Sequence, residues 1–481
     1  MLLAVALAVA APDDELARAA ATREVLDLGL DAFSGLAPES DGRAAWQLGD
    51  CALAPAAAPL LGSACSPAPG LRWEVRPTAL VEVGDGTPDG ASGDQRAGWA
   101  SVRAGARGAL YFGPMVLRAA PSLGLDVVPG VEPVARLDDV WLGYDSGGAW
   151  VGVGRQDRWM GPGRSGTLLL SDNAEAPWMV NSGLDGRLPG VLRHAGRFRA
   201  EVGVGVLTEP RADVSLPGAL MMDLRWMPHP VIEIGLNRLA LFGGEGRPAP
   251  DLGQLLVPSE PHVEDDPDKL LPDQNELASF VVRANLPLQK WLGGPFGHVS
   301  GWWEYGGEDM IVQDDLGFDL PSLAGIGNQY GAEVAMGPVV VSGEYTQLMD
   351  DYFRWYVGHR VYHEGFTQNG RVMGHYGGPD SETWAGRVSV SGDAWRVRAT
   401  GDRVRRVAVI DVQGDNVNTL ATEELQLRGG LDVDVLWRGA WLGGGYSLTA
   451  IEGANFTAGN DRIEHRVVLA LRAGPRWAGG R

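Results

Sequence analysis

The chain has only two cysteines, no internal apolar run long enough to cross a bilayer as a helix, and no cluster of basic residues. Each shortage excludes something. Cys51 and Cys65 cannot staple a disulfide-dense scaffold, and a metal site would need more ligands than stand near them. In an oxidising compartment the pair most simply forms one disulfide. Lys and Arg number 40 against 61 Asp and Glu, a net charge of −21. Such a balance excludes nucleic acid, whose phosphates demand basic clusters, and excludes a polybasic membrane-surface binder. The acid excess itself speaks for solubility in aqueous loops. The opening MLLAVALAVA is apolar but too short to span a bilayer. It ends in the small-x-small pattern Ala8-Val9-Ala10, so residues 1–10 are expected to be a signal peptide, although the usual positive start is missing. No Cys follows closely enough for a lipid anchor. A membrane-spanning chain without an apolar helix must be a closed barrel, because only a closed sheet satisfies its own backbone in lipid.

What the chain does contain fits that geometry. Gly reaches 69 residues and Trp 17, against 10 each of Tyr and Phe, with 45% hydrophobic residues and no Gly-X-Y period. Gly suits strands that bend, and Trp suits membrane interfaces. Residues 11–70 read as a small periplasmic element, helical from Asp13 to Phe33 until Gly35 stops it. Its second part, Pro38 to Pro69, is rich in Ala and Pro and carries both cysteines. A disordered leader is the alternative for this segment.

From Trp73 onward the hydrophobic period becomes two. Phe198, Ala200, Val202, Val204 and Val206 alternate with Arg197, Arg199 and Glu201. Leu427, Leu431, Val433 and Val435 alternate with Arg428, Asp432 and Asp434, and Trp395, Val397 and Ala399 with Arg396 and Arg398. Ile463, Val467 and Leu469 alternate with Glu464 and Arg466. One face meets an apolar medium and the other a polar one. Runs of about ten residues match a tilted bilayer crossing, whereas soluble sandwich strands run nearer five or six. The expected fold is therefore an all-β, transmembrane antiparallel barrel over 71–481, with 16 or 18 strands as the natural even closure. Trp73, Trp99, Trp141, Trp150, Trp226, Trp302, Trp384, Trp395 and Trp437 lie near segment ends and are expected to form interfacial girdles. Short turns are expected at Asp145 to Gly148, Gly337-Pro338, Gly392-Asp393 and Arg438-Gly439. Long loops are expected at Pro248 to Asp273, Gly306 to Gly327 and Asp350 to Asp380. A soluble sandwich is the competing reading.

The stretch Gly154 to Ala174, GRQDRWMGPGRSGTLLLSDNA, concentrates polar and aromatic side chains. It lacks the spacing and the Lys-Ser/Thr ending of a phosphate loop, and no βαβ unit surrounds it. Gly161, Pro162 and Gly163 suffice for a reverse turn. They do not account for Arg155, Gln156, Arg158, Trp159 and Asn173, which are suited to hydrogen-bond and stack on a sugar. The stretch resembles the signature of the Wzi family of capsule-assembly outer-membrane proteins. Gly154, Gln156, Trp159, Gly161, Pro162, Gly163, Asn173 and Ala174 match, while Met160 stands where a second aromatic is usual. A later run, Val361 to Trp384, is similar to the family's second motif through Tyr362, Gly365, Gly370, Gly374, His375, Gly378, Pro379 and Asp380.

The resemblance implies an 18-stranded outer-membrane barrel with an N-terminal helical portion and a role in holding or exporting surface polysaccharide. Arg155, Gln156, Arg158, Trp159 and Asn173 are then expected to contact the glycan, with Tyr362, His363, His375 and Asp380 as a second polar cluster. The chain's ending, GPRWAGGR, departs from the terminal aromatic usual in such barrels. His359, His363, Glu364 and His375 lack the helical His-Glu-x-x-His order, so no metal is expected there. Glu264 to Asp266 and Asp314-Asp315 do not follow a calcium-loop spacing. They are expected to be solvated loops that can knit to lipopolysaccharide through divalent ions. No cofactor and no catalytic residue set is expected. Surface polysaccharide, outer-membrane lipid and a periplasmic export protein are the expected partners. An open porin, or less simply a barrel enzyme, are the rival functions.

Overall fold

A computed structural model describes residues 71–480, apart from 85–99, 256–273, 292–295, 314–319, 350–354, 473–476 and one or two residues at a time elsewhere. The expected signal peptide, the helical element, the Cys51–Cys65 bridge, Trp99 and both acidic runs lie outside the described residues. The chain winds in sequence order through β1 (Leu71–Gly84), β2 (Ala100–Phe112), β3 (Met115–Val128), β4 (Gly130–Asp145), β5 (Ala149–Arg155) and β6 (Trp178–Arg187). It continues with β7 (Arg197–Val206), β8 (Gly218–His229), β9 (Ile232–Phe242), β10 (Gln274–Leu286), β11 (Phe296–Gln313), β12 (Leu320–Met336) and β13 (Val339–Gln347). The hairpin β14 (Thr367–Gln368) and β15 (Arg371–Val372) precedes β16 (Ser381–Gly392) and β17 (Trp395–Arg406). A second hairpin, β18 (Val409–Gln413) and β19 (Asn416–Thr419), leads to β20 (Glu424–Trp437), β21 (Ala440–Glu452), β22 (Arg462–Arg472) and β23 (Trp477–Gly480).

The two small hairpins stand apart, and the remaining nineteen segments form one sheet. It closes because β22 and β23 both pair with β1, at Thr78↔Arg472 and Val75↔Trp477. Counting those two as one interrupted strand gives a closed, antiparallel barrel of eighteen strands. The terminal GPRWAGGR thus still contributes closing backbone through Trp477 to Gly480.

The period of two sorts the side chains as the sequence requires. Val151, Val153, Val180, Leu224, Leu236, Val388, Leu427, Leu431, Val433, Ile463 and Leu469 all face outward and are exposed. An apolar outer band of this extent has no aqueous counterpart and is covered only by hydrocarbon. The opposite face carries buried charge, including the pairs Arg396–Asp434 at 2.8 Å, Arg225–Asp223 at 2.6 Å and Arg103–Asp126 at 3.5 Å.

The tryptophans divide where interfacial girdles alone were expected. Trp226, Trp384, Trp395 and Trp437 are exposed on the outer face, but Trp141, Trp150 and Trp302 are buried inside. The reason is a pairing of large with small. The Trp141 ring lies where Cβ atoms on Gly143 and Gly152 would be, Trp150 covers Gly183, and Trp302 covers Gly331. The guanidiniums of Arg118, Arg199 and Arg164 stand over those rings at 5.4, 5.7 and 5.9 Å. Cation–π contact and the glycine bed make the inner position favourable for Trp. The outer aromatics form a contiguous row, with Trp303–Tyr330, Tyr330–Tyr345 and Tyr345–Trp384 centroids 6.4, 6.5 and 4.4 Å apart.

The connections are unequal at the two ends. One end carries the brief turns after β2, β4, β8, β12, β16 and β20, among them the four expected from sequence. The other carries 156–177, 207–217, 243–273, 348–380 and 407–423, which marks it as the extracellular mouth. The expected loop from Gly306 to Gly327 is a correction. Residues 306–313 extend β11 and 320–327 extend β12, paired from Gly306↔Gly327 to Gln313↔Leu320.

Candidate functional site

Two of the mouth connections, 156–177 and 348–380, turn into the lumen. There Met160, Leu168, Leu169 and Leu170 pack with Tyr356, Phe366 and Met373 against Met221, Leu239 and Leu277 of the wall, all buried. This is a hydrophobic core placed inside a barrel whose inner wall elsewhere carries mostly charged and polar side chains beside the tryptophans already described.

Wall carboxylates and amides hold the first connection by its backbone. Glu344 accepts from the amides of Arg164 and Ser165 and from the Ser165 hydroxyl, the Ser165 amide lying at 2.6 Å. Glu304 accepts from Leu168 N at 3.3 Å and from Ser279 Oγ at 2.8 Å. Gln329 Nε2 donates to Gly166 O at 3.0 Å, and Asn237 Nδ2 to Met160 O at 3.2 Å. Arg164 forks onto both oxygens of Glu333 at 3.1 Å. Such contacts explain the glycines. A Cβ on Gly161 would lie 2.6 Å from Glu304 Oε2, and one on Gly163 would lie 2.0 Å from Gly166 O.

The second connection docks on the first. Ser171 N donates to Met373 O at 2.7 Å, Ser171 Oγ to Gly374 O at 2.6 Å, and Asn173 Nδ2 to Val372 O at 2.9 Å. The Tyr356 hydroxyl donates to Leu168 O at 2.5 Å and accepts from His375 N at 2.8 Å. Burial holds that phenol well above the ordinary tyrosine range. A third connection, 207–217, is tied in by Arg211, whose buried guanidinium reaches Asp213, Glu209, Gly365 O and Thr367 O. Burial alone would raise the Asp213 carboxyl, but hydrogen bonds from Arg211 and from the amides of Glu364 and Val214 outweigh it and hold it low. Burial raises the Glu209 carboxyl despite its bond from Asn369 N and the nearby Arg211.

The residues expected to touch sugar fall into two groups. Arg155 donates to Ala176 O at 2.8 Å and pairs with Glu175, and Arg158 pairs with Glu201. Trp159 Nε1 donates to Gly163 O at 2.9 Å, the Tyr362 hydroxyl donates to Gly243 O at 3.0 Å, and Gln156 is buried. His363 is exposed, while the His359 ring accepts from Val361 N and Tyr362 N at 3.2 Å. Among the described residues no group of three His, Cys, Asp or Glu is placed to hold a metal ion.

Asn173 and Asp380, by contrast, line a cavity of about 390 Å³ at the mouth, together with Arg371, Tyr376, Arg406 and Phe456. Both sequence motifs end there. The size is that of a small-ligand site. Arg406 is fixed by Nε to Gly377 O at 2.7 Å, Nη1 to Glu424 at 3.0 Å and Nη2 to Tyr376 O at 3.1 Å. The Tyr376 ring stacks on His375 at 4.6 Å, with Arg428 5.4 Å from its centroid. Asp380 and Phe456 hold φ of 50° and 56°, left-handed values that cost a non-glycine residue about 1–3 kcal/mol each. Arginine donors, a carboxylate acceptor and an aromatic face are together the equipment for gripping a hydroxylated ring. Arg371 and Tyr376 sit inside the second motif and could have been chosen by type. Arg406 and Phe456 lie outside both motifs; Arg406 arrives opposite Ser381 across the β16–β17 hairpin, and Phe456 on the connection between β21 and β22.

His375 supplies a pH test. Burial, then Arg406 and Arg428, lower its pKa from 6.5 to about 3, so the folded plug holds the ring neutral. A depressed folded pKa means the stability is complete above the unfolded value and is lost as pH falls toward the folded one. The plug should therefore weaken by about 1.4 kcal/mol per pH unit below about 6.5. Protease nicking within 355–380 should accelerate between pH 7 and pH 5.5, and His375→Phe should flatten that dependence; an unchanged slope in the variant would remove His375 as its source.

A family model described as capsule assembly protein Wzi matches residues 66–463. The Escherichia coli outer-membrane protein Wzi, described as a carbohydrate-binding β-barrel involved in group 1 capsule assembly, superposes with a TM-score of 0.65 at 17% identity. That match covers 97% of this chain and 99% of the other. Pseudomonas aeruginosa OccK5 gives a TM-score of 0.47 at 11% identity over 86% of this chain and 98% of its own. OprD from the same organism gives 0.47 at 8% over 85% and 95%. No curated protein matches the sequence.

Proposed function

The chain belongs to the Wzi family of capsule-assembly outer-membrane proteins, and from that premise we propose that it binds extracellular polysaccharide at the cell surface through the cavity at its mouth. The observation that carries this reading is the convergence of both family motifs on one cavity whose lining suits a sugar. Arg155, Arg158, Trp159 and Tyr362 serve it from behind, by holding the plug that positions Asn173, Arg371 and Asp380. A rigid lining loses little entropy on binding, so a few contacts give useful affinity. The E. coli protein's carbohydrate binding supports the same assignment.

Binding is proposed without bond cleavage, so polysaccharide incubated with the protein should keep its chain length. Lipopolysaccharide of the outer leaflet is proposed to lie against the aromatic row from Trp303 to Trp384, and a periplasmic export protein to deliver the polymer. The decisive experiment scores cell-bound against shed polysaccharide in a deletion strain complemented with variants. Loss of the chain should shift polymer from cells to medium. Phe456→Ala with Asp380→Asn should reproduce that shift while leaving the barrel heat-modifiable in detergent gels. Glycan affinity should drop about tenfold or more, the equivalent of roughly 1.4 kcal/mol. Unaltered attachment in the deletion strain would count against the reading as a whole.

A further inference from the structure

We infer that the outer face of β16, β17 and β20 holds a phosphorylated, multiply acylated lipid of the outer leaflet, the chemistry of a lipopolysaccharide anchor, with Arg403 reading the phosphate. This rests on the lipid contact proposed for the aromatic row, which ends at Trp384, and adds the group recognised and the place of the chains.

On β17 the outward side chains change character toward the mouth. Trp395, Ala399 and Gly401 are exposed and uncharged, and Arg403 is the first exposed charge above them. An arginine facing lipid is costly at mid-bilayer and tolerated near the interface, so this step marks the headgroup level. Arg405, next on the same face, takes both neighbouring carboxylates, Glu423 at 2.6 and 2.7 Å and Glu382 at 3.6 Å. Arg403 acts on Glu423 through its field alone and makes no hydrogen bond or ion pair among the described residues. Its N–H fork is therefore open to an acceptor from the membrane side. A planar guanidinium matches phosphate through paired, parallel bonds, which a lone hydroxyl does not supply.

Trp384 and Leu427, the partners of Arg403 on β16 and β20, are also exposed and wall a cavity of about 460 Å³ with it. Its floor is Gly386 and Gly401. Gly343, Gly386, Gly401 and Gly429 are consecutive cross-strand partners, so a trough one side chain deep crosses β13, β16, β17 and β20. The glycines beside Trp141, Trp150 and Trp302 are filled by those rings, whereas these are not. A Cβ on Gly343, Gly386 or Gly401 would lie 3.8 or 3.9 Å from its nearest neighbour, and one on Gly429 would meet nothing within 4 Å. Val388 and Leu431, both exposed, bound the trough on the side away from the mouth. Hydrocarbon is the medium at this depth, and strand tilt leads the trough obliquely into the apolar band beneath Arg403. A free phosphate would use Arg403 alone, and a neutral lipid the trough alone. A lipid that joins phosphate to acyl chains uses both.

The test titrates full-length protein in detergent with lipid A, the phosphorylated anchor of lipopolysaccharide, and with the same lipid after enzymatic removal of its phosphates. Bound lipid is read by native mass spectrometry. The phosphorylated form should bind about ten- to a hundredfold more tightly, the span expected for a charged hydrogen bond. Arg403→Gln should abolish that preference by weakening only the phosphorylated form, and Arg403→Lys should restore part of it. Gly401→Leu should weaken both forms and keep the preference, because it fills the trough and leaves the charge. Equal affinity for the two forms, or a preference that survives in Arg403→Gln, would overturn the inference and leave the aromatic-row contact standing. Phosphatidylglycerol bound as tightly as phosphorylated lipid A would also overturn it, by showing a site that accepts any anionic phospholipid. Wild-type protein that binds neither form of lipid A would remove the row contact and the inference together.

Discussion

Gly374→Val should unseat the plug while leaving the barrel closed. A Cβ at this position would stand 2.3 Å from the Tyr356 hydroxyl and 2.5 Å from Leu168 O, and neither can retreat. Tyr356 is fully buried, and Leu168 O accepts its hydroxyl proton. Two further methyl groups worsen the clash, and undocking sacrifices the bonds from Ser171 and Asn173 to 372–374. Overpacking and the lost bonds together exceed about 3 kcal/mol, enough to favour the undocked state. The wall keeps its own ladder of paired strands and does not depend on the plug. In planar bilayers the wild-type protein should show far less conductance than an open barrel of eighteen strands, which leaves an aqueous channel. The variant should show steps at least about tenfold larger, with protease sites appearing in 156–177 and 355–380. Equal conductance in both proteins would mean that the two connections do not obstruct the lumen.

Arg211→Ala should have an effect of similar size through charge. The guanidinium is inaccessible to solvent, forks onto Asp213 at 2.9 and 3.1 Å, and reaches Gly365 O and Thr367 O at 3.0 and 3.1 Å. Removing it strands the carboxylates of Asp213 and Glu209 beside one another with no cation between them. Breaking a buried pair from one side costs about 3–5 kcal/mol, more than most surface changes by an order of magnitude. Arg211→Lys keeps the charge but not the planar fork and should recover less than half of the loss. Adding Asp213→Asn to Arg211→Ala should recover part of it too, because the uncompensated charge is gone. Hydrogen exchange across 207–217 and 364–369 reads this directly. Exchange in the wall strands serves as the internal control, and faster exchange there as well would mean that Arg211 supports the whole barrel.

The sequence announced the wall far better than the site. In β17, Arg396 and Arg398 alternate with Trp395 and Ala399, and the structure turns the first pair inward and the second outward. A period of two leaves no other arrangement once one side is hydrocarbon. Trp141 shows where that logic stops. Its place near a strand end suggested a membrane interface, but its inner position depends on glycines in β4 and β5 and on Arg118 in β3. Arg158 and Trp159 show the same limit at the site. Their types advertised ligand binding, whereas Glu201 and Gly163 O engage them within the chain. Side-chain chemistry states what a residue can grip, and only packing states what lies within reach.

Alternation, strand length and the spacing of Gly and Pro determined by themselves that this chain closes as an antiparallel barrel with a polar lumen, because backbone in lipid must pair with itself. The resemblance of two stretches far apart in sequence to a known family also pointed to the connections here proposed to hold the glycan. The tertiary structure decided the rest: that those segments fold inward and bury one another, and that Arg406 and Phe456 complete the cavity they leave. Those contacts depend on which strands lie side by side, and no local pattern records which side chains that pairing brings together.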